Sequence, residues 1–328
     1  MFAQERADRL FDKPTDRVGW LWEVRGNGLQ TKSYLFGTCH GDGHNFTYEE
    51  VFGISGLQDA LTAVKAILFE GGMNTNISNT EFDKEELAKL GKWLIKPGPK
   101  WMMPEGAYYK PLFDSVAHFN EVNKFLTYEM KDPEYWKKTP TYWYTRMSFY
   151  MMLNLQHKIK TVDEVLQEEA QRRGLEQGYV EEMQQVVGSL SSVIMDTSAI
   201  DTLTMKEQAS KLYHLIHFTN DDENEFKKYL KKFTAVYLEN DTIKMSELLS
   251  QEPEFNSEEL GFTNEQRGEA LEKVENILKN DRNEAWLPVI IENISERPCL
   301  IAVGLKHLMG DKGLIFLLRQ QGYSVEPI

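Results

Sequence analysis

Cysteine is scarce in this sequence. Among its 328 residues only Cys39 and Cys299 occur, so a scaffold held together by several disulfide bonds is excluded. A single bridge would need Cα atoms within about 7 Å, and the two cysteines stand at opposite ends of their strand-like runs. We therefore expect both thiols to be free.

Positive charge and long apolar runs are also in short supply. Lysine and arginine number 37 against 51 aspartate and glutamate residues, and the resulting formal charge of -14 would repel a nucleic-acid backbone. The longest apolar runs, such as LPVII and LIAVG, are far shorter than the roughly 20 residues that cross a bilayer. We predict that the chain has no nucleic-acid partner and does not span a membrane.

The N-terminal residues leave two compartments open. No apolar segment led by lysine or arginine opens the chain, which fits a cytoplasmic protein. The opening MFAQERADRL fits equally well with a mature N-terminus that remains after a signal peptide is removed. In that case we expect a periplasmic, surface or secreted protein.

The sequence also lacks a Pro/Gly/Ser-rich linker, a low-complexity segment and an internal repeat. We therefore expect one domain over residues 1–328. Its ends are strand-like and its middle is helical, which predicts an α+β fold with a central mixed sheet built from both chain ends and flanked by helices. The sheet and the site are expected in about residues 19–70 and 281–328, and about 79–279 form a mainly helical insertion.

Two local patterns illustrate this difference between the ends and the middle. Near the N-terminus, alternating apolar segments surround RGNG, whose Asn-Gly pair suits a tight turn, so we predict the first two strands there. In the middle, TVDEVLQEEAQRRG predicts a helix that Thr161 caps, with Glu164 at the capping-box position and Gly174 at its end.

Two strand-like runs end in the same pattern, Gly-x-x-His. YLFGTCH ends at His40 and CLIAVGLKH ends at His307, while a third apolar run, AILFEG, carries Glu70 at its end. Catalytic groups collect at strand ends in α/β folds, so these three side chains are candidate site residues. A pattern this short also arises by chance, and Gly41 to His44 repeats it in a loop. Satisfied or solvated histidines are therefore the alternative.

These motifs, together with NDRNEAW and IAVGLKHLMGDKGLIFLLRQQGYSVEPI, resemble the TraB/PrgY/GumN family, which is related to the Tiki metalloproteases and more remotely to the erythromycin esterase and ChaN-like fold. The family pattern is an N-terminal Gly-Thr-x-His, a strand ending in Glu, a helical Arg-Asn and a C-terminal Val-Gly-x-x-His-Leu-x-Gly-x-x-Gly-Leu followed by Leu-x-x-x-Gly-Tyr-x-Val. The matching positions are Gly37, Thr38, His40, Glu70, Arg282, Asn283, Val303, Gly304, His307, Leu308, Gly310, Gly313, Leu314, Leu318, Gly322, Tyr323 and Val325.

The middle of the chain matches the family only loosely. Val180 and Glu182 depart from the family pattern around Glu181, so Glu181 is given no site role. Gly41 stands directly after His40, where relatives usually carry an apolar residue. The loop after His40 is therefore expected to form a different entrance to the site.

The resemblance implies a metal-dependent peptidase in which His40, Glu70 and His307 hold a divalent ion, Mn, Co or Zn. Two neutral imidazoles and one carboxylate suit such an ion and leave positions open for water and substrate. Arg282 would stabilise a developing oxyanion or bind a substrate carboxylate, because its fork donates two charge-assisted hydrogen bonds. Asn283 would orient that group or the substrate amide.

Several alternatives remain open. Glu70 and Arg282 could form a structural ion pair that holds the sheet to a helix, and His44 could serve as a ligand. For the whole protein, the first hypothesis is a metal-dependent hydrolase, with a peptidase as the first expectation and a peptide or small molecule as substrate. The second is a protein of the same fold that binds or sequesters its ligand without turnover. The third is a metal-independent, esterase-like hydrolase that uses histidine and glutamate as acid and base.

Overall fold

A computed structural model describes residues 19–40, 44–71, 99–156, 160–182, 202–221, 225–250 and 272–328. The six strands in these residues are β1 (Leu21–Gly26), β2 (Ser33–Thr38), β3 (Ala66–Gly71), β4 (Glu176–Glu181), β5 (Cys299–Gly304) and β6 (Tyr323–Pro327). The eleven α-helices in the same residues are α1 (Tyr48–Phe52), α2 (Leu57–Ala63), α3 (Val116–Lys124), α4 (Pro140–Gln156), α5 (Val162–Arg173), α6 (Met205–Asn220), α7 (Glu225–Leu238), α8 (Thr242–Ser250), α9 (Asp281–Glu296), α10 (Leu305–Leu308) and α11 (Leu314–Gln320). None of these helices is long and apolar enough to span a membrane, as expected. The opening MFAQERADRL, Gly41 and parts of the predicted helical insertion lie outside the described residues.

The six strands form one mixed sheet in the order β4-β3-β5-β2-β1-β6. Strands β4, β3, β5 and β2 run parallel to one another, whereas β1 is antiparallel to both of its neighbours. The N-terminal strand β2 pairs directly with the C-terminal strand β5, with Tyr34 opposite Leu300 and Thr38 opposite Gly304. The prediction of an α+β fold whose mixed sheet is built from both chain ends is confirmed.

One strand comes from the stretch that was predicted to be helical. Strand β4 follows α5 and pairs in parallel with β3 at the edge of the sheet. Only its last two residues, Val180 and Glu181, are buried. An edge strand that buries so little has neither the alternating nor the continuous apolar pattern from which strands are recognised, which explains why β4 was not predicted.

The turn between β1 and β2 contains the Asn-Gly pair. Asn27 and Gly28 both have positive φ, at 49° and 87°, the region that these two residue types enter with least strain. The Asn27 side-chain amide donates a hydrogen bond to the carbonyl of Gln321 at 2.9 Å, which ties this turn to the chain before β6. The prediction of two strands around the turn is confirmed.

Helix α5 begins and ends at the expected residues. Thr161 is its N-cap, Glu164 completes the capping box, and Gly174 ends it in the left-handed conformation at φ 67°. The first backbone N–H of the helix, that of Val162, donates to the carbonyl of Cys39 at 3.4 Å. The helix therefore starts directly beside the loop that follows β2.

Among the described residues, buried apolar side chains form two clusters. The larger one includes residues of all six strands and of helices that cover the sheet, among them α5, α9, α10 and α11. The smaller one joins α3, α4 and α6 with the segments that precede α3 and α4. Helix α7 is tied to the sheet by Tyr237, whose carbonyl accepts from Trp20 Nε1 at 2.9 Å and whose hydroxyl donates to the Gly37 carbonyl at 2.8 Å.

Neither of the two cysteines forms a disulfide bond, and both are buried. Cys39 lies just beyond the carboxyl end of β2, whereas Cys299 is the first residue of β5. Because these two strands are parallel, the cysteines lie at opposite ends of the strand pair. Five residues of strand span about 16 Å, more than twice the Cα separation that a disulfide permits. The prediction of two free thiols is confirmed.

Candidate active site

The carboxyl ends of the four parallel strands meet at one edge of the sheet. Thr38 of β2 lies opposite Gly304 of β5, and Gly71 of β3 lies opposite Glu181 of β4. The loops and helices that follow these ends carry most of the predicted site residues. This is the edge at which open α/β sheets place their ligand sites.

Glu70, at the end of β3, is held by groups on two other elements. Its Oε1 accepts a hydrogen bond from the backbone N–H of Gly304 at 2.5 Å, and its Oε2 accepts one from Arg282 Nη2 at 3.2 Å. A Cβ placed on Gly304 would lie 3.0 Å from Oε1. The glycine of the second Gly-x-x-His therefore lets the carboxylate reach the backbone of β5.

The glycine of the first Gly-x-x-His also makes room for a neighbour. A Cβ on Gly37 would lie 2.6 Å from Cδ1 of Leu305, the first residue of α10. Because α10 carries His307, Gly37 allows the short helix to sit directly against the end of β2. Both glycines of the two motifs thus permit close approaches that assemble this edge.

His307 is buried, and its tautomer follows from its neighbour Asn283. The Asn283 amide nitrogen donates to the carbonyls of His307 and Lys312 at 2.9 and 2.8 Å, which fixes the orientation of the amide. Its oxygen therefore faces Nδ1 of His307, at 2.7 Å. A carbonyl oxygen can only accept, so Nδ1 carries the proton and, in the neutral ring, Nε2 carries the lone pair.

Two hydrogen-bond acceptors face each other at this site. Burial lowers the pKa of His307 to about 4, although the Glu70 carboxylate opposes that effect. Burial would by itself raise the pKa of Glu70. The positive charges of His307 and His40 in their protonated forms, together with that of Arg282, outweigh burial and lower that pKa to about 2. At neutral pH the imidazole is therefore uncharged and the carboxylate is ionised, with Nε2 and Oε1 3.6 Å apart.

Arg282 lies between two carboxylates. Its Nε donates to Oε2 of Glu181 at 2.8 Å, its Nη1 to the Leu278 carbonyl at 3.1 Å, and its Nη2 to Glu70. The guanidinium also stands 4.7 Å from the ring centre of Trp286. The structural ion pair that the sequence left open is present, and these contacts use three of the five N–H donors of an arginine.

Glu181 is a site residue that the sequence analysis did not assign. It is buried at the end of β4 and accepts hydrogen bonds from Arg282 and, at 3.1 Å, from Trp286 Nε1. The Trp286 ring packs against the His307 ring with centroids 4.4 Å apart. Glu181 follows the apolar Val180, but its strand lacks the continuous apolar run that marked Glu70, so the sequence carried only a weak signal for it.

Asp163 is the second unassigned residue at this edge, and it lies beside His40. Its Oδ1 accepts from the Thr38 hydroxyl at 3.2 Å, and its Oδ2 lies 3.9 Å from Nδ1 of His40. Burial raises the pKa of Asp163 to about 6; the Glu70 charge adds to this effect and the His40 charge opposes it. The His40 side chain is 55% exposed, so it lies at the open side of the site.

Comparison with known proteins identifies the family of this chain. The model of the TraB/PrgY/gumN family matches residues 20–327, nearly the whole chain. The chain belongs to the TraB/PrgY/gumN family. Searches among curated proteins and among solved structures returned no significant match.

The predicted residues of this TraB/PrgY/gumN protein are not all brought together. Glu70, Arg282, Asn283 and His307 form one connected group, and His40 stands at its open side, within range of their charges. His44 points elsewhere: its Nε2 pairs with Glu50 at 3.1 Å, and its ring packs edge-on against Phe46.

The side chains at this edge include nitrogen and oxygen donors of the types that bind divalent metal ions. Within the described ranges, no three His, Cys, Asp or Glu side chains stand together as a ready metal cluster. Glu70 and His307 nevertheless present facing acceptors, Oε1 and Nε2, 3.6 Å apart. These donor types fit a divalent cation, and the third proposed ligand, His40, lies on the open side.

Proposed function

We propose that this TraB/PrgY/gumN protein is a metal-dependent hydrolase, with peptides as its first substrate class, and that Glu70, His307 and His40 hold the metal ion. The proposal rests on the facing acceptors Nε2 of His307 and Oε1 of Glu70, 3.6 Å apart. Two atoms each about 2.1 Å from one Zn²⁺ at a tetrahedral angle lie about 3.4 Å apart. The separation in this site therefore suits two ligands of one ion.

The residues around these ligands keep them in place. The Gly304 N–H and Arg282 hold the Glu70 carboxylate, and Asn283 holds the His307 ring with its Nε2 lone pair available. Such outer contacts orient ligands and are part of a working metal site. A divalent ion bound here would act as a Lewis acid that activates water near neutral pH.

Arg282 has a second role in the proposal. Three of its N–H groups donate to Glu70, Glu181 and the Leu278 carbonyl, and these hydrogen bonds hold the guanidinium in place. In the proposal, the two remaining N–H groups donate hydrogen bonds to the negative charge that develops on the substrate. Peptides are the substrates to test first because the resemblance to the Tiki metalloproteases points to them.

Metal binding is tested on protein first stripped with a chelator. Mn²⁺, Co²⁺ and Zn²⁺ are titrated calorimetrically, and metal content is measured by mass spectrometry, for wild type and for His40→Ala, His307→Ala and Glu70→Gln. His44→Ala is the matched control, because His44 pairs with Glu50 away from the site. We expect one ion per chain in wild type and control, and loss of binding in the three site variants. Unchanged metal content in both the His40 and His307 variants would refute the proposed ligands.

Turnover is tested with a peptide library and each metal ion. Hydrolysis that requires the ion supports the proposal, and Arg282→Lys should then lower kcat much more than metal affinity, because its role is in the transition state. Hydrolysis that survives complete chelation would instead identify a metal-independent hydrolase. Peptide binding without any hydrolysis would identify a sequestering protein.

A further inference from the structure

The first turn of α5 is attached to the residues around His40. The Thr38 hydroxyl donates to Oδ1 of Asp163 at 3.2 Å, and the Val162 N–H donates to the Cys39 carbonyl at 3.4 Å. The capping box of Thr161 holds the helix start in turn. The position of the Asp163 carboxylate relative to the His40 backbone is therefore determined by the fold.

One oxygen of this carboxylate has no hydrogen-bond partner within the described part of the chain. Oδ2 of Asp163 is buried, and Nδ1 of His40 lies 3.9 Å from it. That distance exceeds the range of about 2.7–3.2 Å of an N–H···O bond. A buried acceptor without a partner destabilises the folded protein, and more so when it is charged. Because the His40 side chain is 55% exposed, its ring has room to move towards Asp163.

We propose that Asp163 is the positioning residue of His40, and that its Oδ2 accepts the Nδ1–H of the imidazole. A ring held in this way carries its lone pair on Nε2, the atom opposite the carboxylate. The inference rests on the proposed function for the use of that lone pair, which is metal binding. It would give the two histidines equivalent supports, since Asn283 holds Nδ1 of His307 and Asp163 would hold Nδ1 of His40.

The tautomer of His40 can be read in the metal-free protein. Histidine is labelled with ¹⁵N, and long-range ¹H–¹⁵N correlations are recorded at pH 8.5, above the usual range of histidine pKa values. The spectra compare wild type with Asp163→Ala. Asp163→Ser is the second variant, because serine suits a first helical turn but is too short to reach the ring. His44, which pairs with Glu50, is the internal control in every spectrum.

We expect His40 to carry its proton on Nδ1 in wild type and to lose this preference in both Asp163 variants, with His44 unchanged. Mn²⁺ affinity should fall about 10- to 100-fold in the same variants, the usual effect of removing a group that orients a ligand. The same His40 tautomer in wild type and in a folded Asp163 variant would overturn the inference. A third outcome separates the two proposals. If the His40 tautomer differs between wild type and the Asp163 variants as expected, but wild type binds no metal, the inference is supported and the proposed function is refuted.

Discussion

Gly304 offers the sharpest test of how this site is assembled. Its backbone, at φ -51° and ψ 134°, is one that alanine adopts without strain. The obstacle is the Glu70 carboxylate, because an added Cβ would lie 3.0 Å from Oε1, which already accepts the Gly304 N–H at 2.5 Å. In the folded state, Gly304→Ala should therefore act on stability through Glu70.

The magnitude follows from two opposing terms. Replacing a glycine by alanine at a compatible backbone position stabilises a protein by about 0.4–1 kcal/mol, because the unfolded chain loses freedom. A hydrogen bond to a charged group contributes about 1.5–3 kcal/mol, and displacing Glu70 weakens or breaks this one. We expect Gly304→Ala to lower the free energy of unfolding by about 1–2 kcal/mol, as the difference between these terms.

A double-mutant cycle isolates the contact. In a Glu70→Ala background the carboxylate is gone, so Gly304→Ala should become stabilising by about 0.4–1 kcal/mol. Gly37→Ala is the matched control, because its Cβ would meet Leu305 and should be equally destabilising in both backgrounds. Free energies come from urea unfolding at pH 7. An equal change on Gly304→Ala in both backgrounds would refute the reasoning.

Two further predictions concern groups away from the site. Hydrogen bonds from Arg172 and Arg173 outweigh burial and lower the pKa of Glu169 to about 2, so its contribution to stability is complete above pH 4.5 and is lost as pH falls towards 2. Arg173→Met should flatten the fall of Tm over that acid range, and an unaltered acid profile would contradict the assignment. Burial raises the pKa of Cys299 to about 11, and Cys39 is buried as well. A disulfide reagent at pH 8 should therefore find almost no reactive thiol in the native protein and two in urea, whereas rapid native labelling would contradict this burial.

Local signals were sufficient to predict part of the fold. The Asn27-Gly28 turn and the caps of α5 depend on residues within a few positions of each other, so their patterns survive in a single sequence. The pairing of β2 with β5 joins residues more than 260 positions apart, and no local pattern specifies such a register. A sheet built from both chain ends was expected because both ends have strand-like patterns and because their motifs together resemble one family.

The candidate site was predictable where a side chain follows a clear strand. His40, Glu70 and His307 were identified in this way, whereas Glu181 ends an edge strand whose other residues are largely exposed. Asp163 was hidden for a different reason, since an acidic residue in a first helical turn is usually explained by the helix dipole. Only the tertiary structure shows that its carboxylate faces the loop after β2.

The charges at this edge bear on the proposal of a metal ion rather than metal-free acid–base chemistry. Within the described residues, the carboxylates of Glu70, Glu181 and Asp163 share this edge with the guanidinium of Arg282, and the charge of Lys279 also acts on His307. Because the pKa values of His307 and Glu70 are both lowered, both groups can act as bases at neutral pH, but neither carries the proton of the acid that metal-free catalysis also needs. A divalent cation would neutralise the carboxylate charge at this edge, and the facing lone pairs have the geometry of two of its ligands.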